Sequence, residues 1–306
     1  MALTGAGGAC VEEIPEHPPS GSTIPPSLSS VGRSPAGLAR LGEPAEELFT
    51  ASEHRAFWRE NRQGTPPLEW KQAHLWPSTK AEAYDLESER VPLLSPQPPD
   101  RGPQRLVAVE AAYGHAAQRI YAVAAVLTFP ELNEIERAWH SLPVTFPYVP
   151  GLFYYREGPV IVEVLRKLNA DSDVILVSGH GIAHPRRIGL AAQVGISFDK
   201  PSIGCARRLL IGRHRPVGET QGSSQPIFHR GEEIGLAYRS KDRVKPIFIS
   251  PGNRCSLAYA RDVTVNCLGG YRLPEPLRLV HNLANARKRQ EEKSNGRDTD
   301  RQQESQ

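Results

Sequence analysis

The densest polar stretch in the apolar part of the chain is Ser178-Gly-His180-Gly-Ile-Ala-His184-Pro-Arg186-Arg187. It follows a continuous apolar run, and its glycines allow a ligand to approach the backbone closely. Arginines favour phosphate groups, so the stretch indicates phosphate binding, with a structural loop as the alternative. A zinc site on the two histidines would need both on one helix, which Gly181 and Pro185 disfavour.

Two carboxylates lie where structural elements are predicted to end or begin. Glu110 interrupts the apolar run RLVAVEAAYG. A buried carboxylate is costly unless it is paired, hydrogen-bonded or bound to a metal, and an edge position facing water is the alternative. Glu157 immediately precedes Gly158-Pro159, a predicted helix start. It is interpreted either as a metal or water ligand or as a cap at the positive end of the helix dipole.

An aromatic side chain lies in a loop that two prolines make rigid. Tyr148 is flanked by Pro147 and, one residue further on, by Pro150. A stiff apolar loop that carries an aromatic ring can enter a stack of bases and separate them. A structural turn beneath the core is the alternative interpretation.

The elements that must position these residues form an α/β pattern. Strands are predicted at 105–114 and 119–130, from about 131, at 173–178 and at 245–252, and a strand with a turn at 201–212. Helices are predicted from Gly158-Pro159, at 189–194 and at 277–289. A hairpin followed by alternating helices and strands predicts a mixed sheet flanked by helices. Ligands bind at the carboxyl ends of strands in such sheets, and we expect Glu110, Ser178 and Asn253 there.

Composition divides the chain into four segments. With 28 prolines and 26 glycines, part of the chain is expected to be disordered. We predict a disordered extension at 1–45, a helical segment (46–61) and a Pro-rich linker within 46–104, a folded domain at 105–289, and a polar tail at 290–306. The formal net charge of +3 is uneven, because 105–289 is basic whereas both flanks are acidic. The basic domain suggests a polyanionic partner such as nucleic acid, with an ordinary charged surface as the alternative.

Cellular location is inferred from what the sequence lacks. No apolar run is long enough to span a membrane, and the N-terminus does not resemble a secretory signal. The four cysteines show neither CxxC pairing nor metal-ligand spacing. We therefore expect a cytoplasmic protein without a membrane partner, and a monomer.

Five ordered blocks of the sequence resemble one family. They are FPYVPGLFYYREGP, GHGIAHPRRIGLA, PSIGCARRLL, SPGNRCSL and YRLPEPLRLVHNLAN. In this order they are similar to the blocks of endonuclease V, the deoxyinosine-specific DNA repair endonucleases, over about 105–289. The resemblance implies an RNase H-like fold. It also implies cleavage of the second phosphodiester bond 3′ to a deaminated base, with Mg²⁺ or, as an alternative, Mn²⁺. The implied partner is DNA containing a deaminated purine, with RNA as the alternative.

The resemblance assigns roles residue by residue. It implies a lesion-recognition wedge at Pro147, Tyr148 and Pro150, nucleic-acid contacts from Arg156, Arg186 and Arg187, and catalytic residues Glu110, Glu157, His184 and Arg207. Glu110 and Ser178 occupy the positions of metal-binding aspartates. Arg207 replaces a lysine of the family pattern and Asn253 a histidine.

The substituted positions leave two functional hypotheses. In the first, Glu110 and Glu157 hold one Mg²⁺ and cleavage continues with altered efficiency. In the second, the chain binds deaminated or distorted nucleic acid without cutting it. Magnesium requires hard anionic oxygen ligands, and the Ser178 hydroxyl is only a weak neutral one, which favours the second hypothesis. The retained Glu157, His184 and wedge favour continued contact with nucleic acid under either hypothesis.

Overall fold

A computed structural model describes residues 68–71, 76–114 and 118–303 of the chain. The predictions of a disordered extension at 1–45 and of a helix at 46–61 lie outside these residues. Three buried cysteines, Cys205, Cys255 and Cys267, are free thiols. Among the described residues, no helix is both long enough and apolar enough to cross a membrane.

The centre of the fold is one mixed sheet of eight strands in the order β3-β2-β1-β4-β5-β8-β7-β6. The strands are β1 (Arg105–Tyr113), β2 (Arg119–Thr128), β3 (Glu134–Pro143), β4 (Val174–Val177), β5 (Ser202–Ala206), β6 (Ser224–His229), β7 (Glu232–Tyr238) and β8 (Ile247–Pro251). The three strands β1, β4 and β5 run parallel, and their neighbours pair antiparallel. The α/β class and the β1–β2 hairpin predicted from sequence are confirmed. The β6–β7 hairpin was not predicted.

Helices cover both faces of the sheet. They are α1 (Lys80–Arg90), α2 (Phe153–Arg166), α3 (Leu190–Phe198), α4 (Leu257–Asn266) and α5 (Glu275–Gln303). One core lies between the sheet and α2 and α3, and a second lies between the sheet and α4 and α5. Alternate residues of β1 enter the two cores, so Val107 and Val109 pack towards α2 whereas Leu106 and Ala108 pack towards α5. β4 is buried on both faces, as its continuous apolar run predicts.

The start of α2 differs from the sequence prediction. The helix begins at Phe153, and Pro159 lies inside it instead of at its first turn. Tyr154 and Tyr155 are buried and extend the apolar face of the helix upstream of Pro159. Burial of these rings compensates for the missing N–H of the proline, so the prediction of a start at Gly158-Pro159 is wrong.

The chain upstream of β1 packs on the domain through a helix that the sequence analysis did not predict. α1 begins with a capping box, in which the Thr79 hydroxyl accepts from the Glu82 N–H and the Glu82 carboxylate accepts from the Thr79 N–H. Its last residue, Arg90, is buried and donates to Gln193 and to the Ser197 hydroxyl on α3. Further along, the Ser95 N–H donates to the Asn253 side chain. At the other end of the domain, α5 continues to Gln303, beyond the predicted end at 289.

Candidate nucleic-acid interface and candidate active site

Three parallel strands end side by side and each is followed by, or carries near its end, a polar residue. β1 carries Glu110, β4 is followed by Ser178, and β5 is followed by Arg207. In the parallel register Val109 is level with Val177, and the Ser178 N–H donates to the Val109 carbonyl at 3.1 Å. Parallel strands present their carboxyl ends at one edge of the sheet, so this edge gathers the three side chains.

Glu110 is paired with two nitrogen donors. Its Oε1 accepts from Arg207 Nη2 at 3.0 Å and from His281 Nδ1 at 2.7 Å. It is 6% exposed, and its second oxygen, Oε2, is buried without a hydrogen-bond partner among the described residues. His281 comes from α5, because Glu110 shares the face of β1 that Leu106 and Ala108 turn towards that helix. We name Arg207, Glu110 and His281 the ion-pair triad.

The second carboxylate belongs to the opposite face. Tyr113 is three residues after Glu110 on β1, so its side chain points to the opposite face of the sheet. Its hydroxyl donates to Glu157 Oε1 on α2 at 2.9 Å. The pKa of Glu157 is raised to about 7, chiefly by burial, with the hydrogen bond from Tyr113 lowering it, the negative charge of Glu110 raising it and the charge of Arg156 lowering it. Near neutral pH, Glu157 is therefore divided between its acid and carboxylate forms.

A cavity of about 180 Å³ lies beside Glu157 and Ser178. Its walls are largely apolar and include Phe153, Tyr154, Ile188, Leu190 and Leu210, with Glu87, His180 and His184 among the polar residues. The His184 ring donates from Nε2 to the Gly151 carbonyl at 2.8 Å, and burial lowers its pKa to about 4. His184 is therefore neutral and holds the loop that precedes α2. It makes no described hydrogen bond to Glu110 or Glu157.

The proline-bounded loop lies next to this cavity. Tyr148 is 65% exposed, and its ring meets the ring of Phe153, a wall of the cavity, edge to face at 5.4 Å between centroids. Pro147 and Pro150 are exposed on either side. Gly151 ends the loop with φ of +82°, a conformation that favours glycine. The loop thus presents one aromatic ring to solvent from a fixed base.

The three arginines assigned to nucleic-acid contact are engaged within the protein. Arg156 donates to the Phe146 carbonyl beneath the loop. Arg186 pairs with Glu87 of α1 and donates to the Gly151 carbonyl. Arg187 pairs with Glu232 and donates to the His229 carbonyl. These side chains hold the loop and its surroundings in place, and a direct role in binding nucleic acid stays a prediction for each.

Arg207 and three cations that the sequence analysis missed surround a second pocket. This pocket measures about 630 Å³ and adjoins the first through Ser178, Gly179 and His180. The other residues that line it are Ala206, Arg207, Arg208, Lys245 and Arg272. The sequence signal for them was the local pair Arg207-Arg208, whereas Lys245 and Arg272 are brought in only by the fold. We name this the basic pocket.

Asn253 lies elsewhere, and its expected place at the ligand edge is wrong. β8 runs antiparallel to β5, with Pro251 opposite Ile203, so the end of β8 meets the start of β5 and not its carboxyl end. Asn253 is 2% exposed there. Its backbone N–H donates to the Ser202 hydroxyl, and its side chain accepts from Ser95 N–H. The asparagine therefore packs the far end of the sheet.

Comparison with known proteins identifies the family. The family model described as Endonuclease V matches residues 89–282. An Endonuclease V of Nostoc punctiforme is 40% identical over 215 residues, which cover 70% of this chain and 97% of that protein. The chain belongs to the endonuclease V family. By descent it is classed with nucleases, as the names of these relatives indicate.

Solved endonuclease V structures share the fold. The Endonuclease V of Streptomyces avermitilis has a TM-score of 0.67 and 33% identity, over 70% of this chain and 95% of that one. The endonuclease V of Ciona intestinalis, solved with a 23-mer DNA containing an inosine, has a TM-score of 0.59 and 21% identity, over 69% of this chain and 97% of that one. The RNase H-like fold implied by the sequence is confirmed.

The residues present do not fit the magnesium ion implied for an endonuclease V. One oxygen of Glu110 already accepts from Arg207 and His281, and the other is shielded. Ser178 offers only a neutral oxygen. Within the described ranges, no three side chains of His, Cys, Asp or Glu lie together so as to hold a metal. Magnesium is usually held by one or two carboxylates, with waters and substrate phosphates completing the octahedron, whereas the Glu110 carboxylate here accepts from a guanidinium and an imidazole.

Two members of this centre were missed by the sequence analysis. His281 lies in the block YRLPEPLRLVHNLAN but is 171 residues from Glu110, and helix packing alone joins them. Tyr113 was in the predicted first strand, and the alternation of side chains along β1 was the available signal that it faces α2. The sequence analysis did name Glu110, Glu157, Ser178 and Arg207, and the fold brings these four to the same edge of the sheet.

Proposed function

We propose that this endonuclease V homologue binds nucleic acid at a deaminated purine and does not cut it efficiently. Two features carry the proposal: the wedge tyrosine is exposed, and a guanidinium occupies one oxygen of the carboxylate Glu110. Tyr148 projects beside an apolar cavity, while the Arg207 guanidinium lies 3.0 Å from the carboxylate that would have to hold a metal.

Recognition is attributed to the wedge and the 180 Å³ cavity. A base that pairs poorly costs less to unstack, so a rigid aromatic inserted into the stack selects such bases. The extruded base then meets flat and aliphatic walls, which suit stacking, and a few polar groups. Phe153 links the two features, because it packs on Tyr148 and also lines the cavity.

Overall affinity is attributed to the basic surface. Phosphate contacts supply most of the affinity of proteins for nucleic acid and carry no information about the base. Arg208 and Lys245 are exposed beside the cavity and serve this purpose. The inosine-containing DNA bound by the Ciona intestinalis protein is consistent with this class of ligand.

Cleavage of the second phosphodiester bond 3′ to the lesion, with Mg²⁺ or Mn²⁺, is the competing function. The retained Glu157 favours it, since that carboxyl group meets Tyr113, the last residue of β1, near Glu110 on the same strand. The ion-pair triad opposes it. We therefore rank binding above cleavage for this chain.

A paired assay tests the proposal. Oligonucleotides that differ only by inosine or adenine at one position, as DNA and as RNA, are titrated by fluorescence anisotropy in EDTA, Mg²⁺ and Mn²⁺, and the same mixtures are run on denaturing gels. We expect tighter binding of the inosine strand in all three buffers and no cleavage product. Equal affinity for inosine and adenine would overturn the proposal, and inosine-directed product in Mg²⁺ would establish the competing function instead.

A further inference from the structure

The basic pocket has an unbalanced charge. Its lining includes Arg207, Arg208, Lys245 and Arg272, and none of the described residues that line it is acidic. Glu110 does not line the pocket and balances only part of this charge, through its ion pair with Arg207. Like charges held together without an anion are unfavourable, so the pocket favours a negatively charged occupant.

Arg207 is held so that part of its guanidinium remains available. Its side chain is 42% exposed, and its one hydrogen bond among the described residues runs from Nη2 to Glu110. A guanidinium carries five N–H donors in a planar fork, which suits two oxygens of one phosphate. The triad thus fixes the side chain at one end and leaves donors directed away from Glu110.

Arg272 forms a rigid base of the same pocket. Its guanidinium donates to the carbonyls of Lys245, Arg207 and Pro246 at 2.9, 2.6 and 3.0 Å. Burial lowers its pKa, and the charge of Arg207 lowers it further. Arg208 and Lys245 make no side-chain hydrogen bond or ion pair in the part of the chain that the structure describes, and both are exposed. The pocket therefore contains two cations held by hydrogen bonds within the protein, Arg207 and Arg272, and two exposed cations, Arg208 and Lys245.

We propose that the basic pocket binds a phosphate group of nucleic acid directly, with the Arg207 guanidinium in the role that a metal ion would have in a cutting enzyme. Binding is accordingly independent of divalent cations. The phosphate is either an internal phosphodiester or a 5′-terminal phosphate, because both present the same oxygens. This inference rests on the proposed nucleic-acid function but does not depend on preference for inosine.

The test uses the full-length protein and two double variants with equal loss of charge. Arg208→Ala with Lys245→Ala removes the two unengaged cations of the pocket. Arg215→Ala with Lys241→Ala removes one exposed arginine and one exposed lysine that do not line it. Affinity for an undamaged oligonucleotide is measured in EDTA and in Mg²⁺ over a range of salt, and inorganic phosphate is used as a competitor at constant ionic strength.

We expect the pocket variant to bind roughly tenfold more weakly, in line with hydrogen bonds to charged groups. The slope of log K against log salt should fall by about one to two, the share of one or two phosphate contacts. The control variant should change both quantities less, and inorganic phosphate should compete with the wild type only. A 5′-phosphorylated strand that binds several-fold better than its hydroxyl form identifies a terminal phosphate, and equal binding identifies a phosphodiester.

Three results would overturn the inference. They are equal effects of the two double variants, no competition by phosphate, and affinity that requires Mg²⁺. Calorimetric titration with Mg²⁺ alone adds a reading that involves no nucleic acid, and saturable binding at the ion-pair triad would also count against it. If the pocket variant, the phosphate competition and the EDTA measurements behave as expected but the protein does not prefer inosine, only the proposed function is refuted.

Discussion

The hydroxyl of Tyr113 donates to Oε1 of Glu157 at 2.9 Å and so joins the last residue of β1 to the middle of α2. This hydrogen bond partly offsets the cost of burying the Glu157 carboxylate. The remaining cost appears as a pKa raised to about 7.

Stability should therefore depend on pH through Glu157. A carboxyl group with a higher pKa in the folded state binds its proton more tightly there, so it stabilises the fold at low pH. That contribution is lost as the pH rises from about 4.5 to about 7. Glu157→Gln should consequently be relatively more stable, compared with wild type, at pH 8 than at pH 5, measured by urea unfolding. Glu163→Gln, on the same helix, is the control, and the same stability difference at both values of pH for Glu157→Gln would contradict the expectation.

The wedge should affect selectivity more than affinity. Tyr148→Ala removes the ring that separates bases, and stacking on an aromatic ring is worth about 1–3 kcal/mol per base. We expect the ratio of inosine to adenine affinity to fall by about tenfold at fixed salt, with a smaller change for undamaged strands. Tyr271→Ala removes another exposed tyrosine and is the matched control. An unchanged ratio would exclude Tyr148 from recognition.

Restoring the acidic ligand should not restore a nuclease. Ser178→Asp with Glu110→Asp supplies the carboxylates of the family pattern, but the Arg207 guanidinium stays beside them, offsets part of their charge and competes with a cation for the same oxygens. We expect no inosine-directed cleavage in Mg²⁺ on a denaturing gel. A Mg²⁺-dependent gain of tenfold or more over wild type would show that the site is only decayed and would support the competing function.

The attachment of α1 should contribute to stability through one buried side chain. Arg90→Met removes the donors to Gln193 and Ser197, and the buried Gln193 Oε1 loses its Arg90 donor, whereas the Ser197 hydroxyl keeps Tyr154 as a partner. An unsatisfied buried polar group costs about 1–3 kcal/mol, and we expect a loss of that size in the free energy of unfolding. Arg101→Ala, at an exposed position, should change it by less than about 0.5 kcal/mol. Equal effects would show that the Arg90 contacts are not stabilising.

Local patterns predicted much of the sheet but not its β6–β7 edge. The apolar runs of β1, β2, β4 and β5 are buried strands whose residue types indicate their structure directly. The β6–β7 hairpin is half-exposed and contains Pro226 and Gly235, which obscure its alternation. α1 carried a readable signal, the Thr79–Glu82 capping box, which composition alone does not reveal.

The candidate site was predictable where it depends on strand direction. Glu110 and Ser178 follow from parallel strands that share one edge, whereas Arg207 was named only through the family resemblance. Asn253 was misplaced because its strand runs the other way, which a single sequence does not specify. His281 depends on how α5 packs, a contact across 171 positions of the chain, and no local pattern encodes such a contact.

The same long separation has a consequence for how the protein is made. Residues leave the ribosome in order, and the partners of Glu110 are Arg207 and His281, of which the second is synthesised 171 residues later. The central strand must therefore be sequestered between its neighbours while its acidic end still lacks the imidazole. A nascent chain halted before α5 emerges has Arg207 but not His281 beside Glu110, and it exposes the apolar face of the sheet that α5 covers. Exposed apolar surface of this kind marks incomplete chains as substrates for chaperones and proteases.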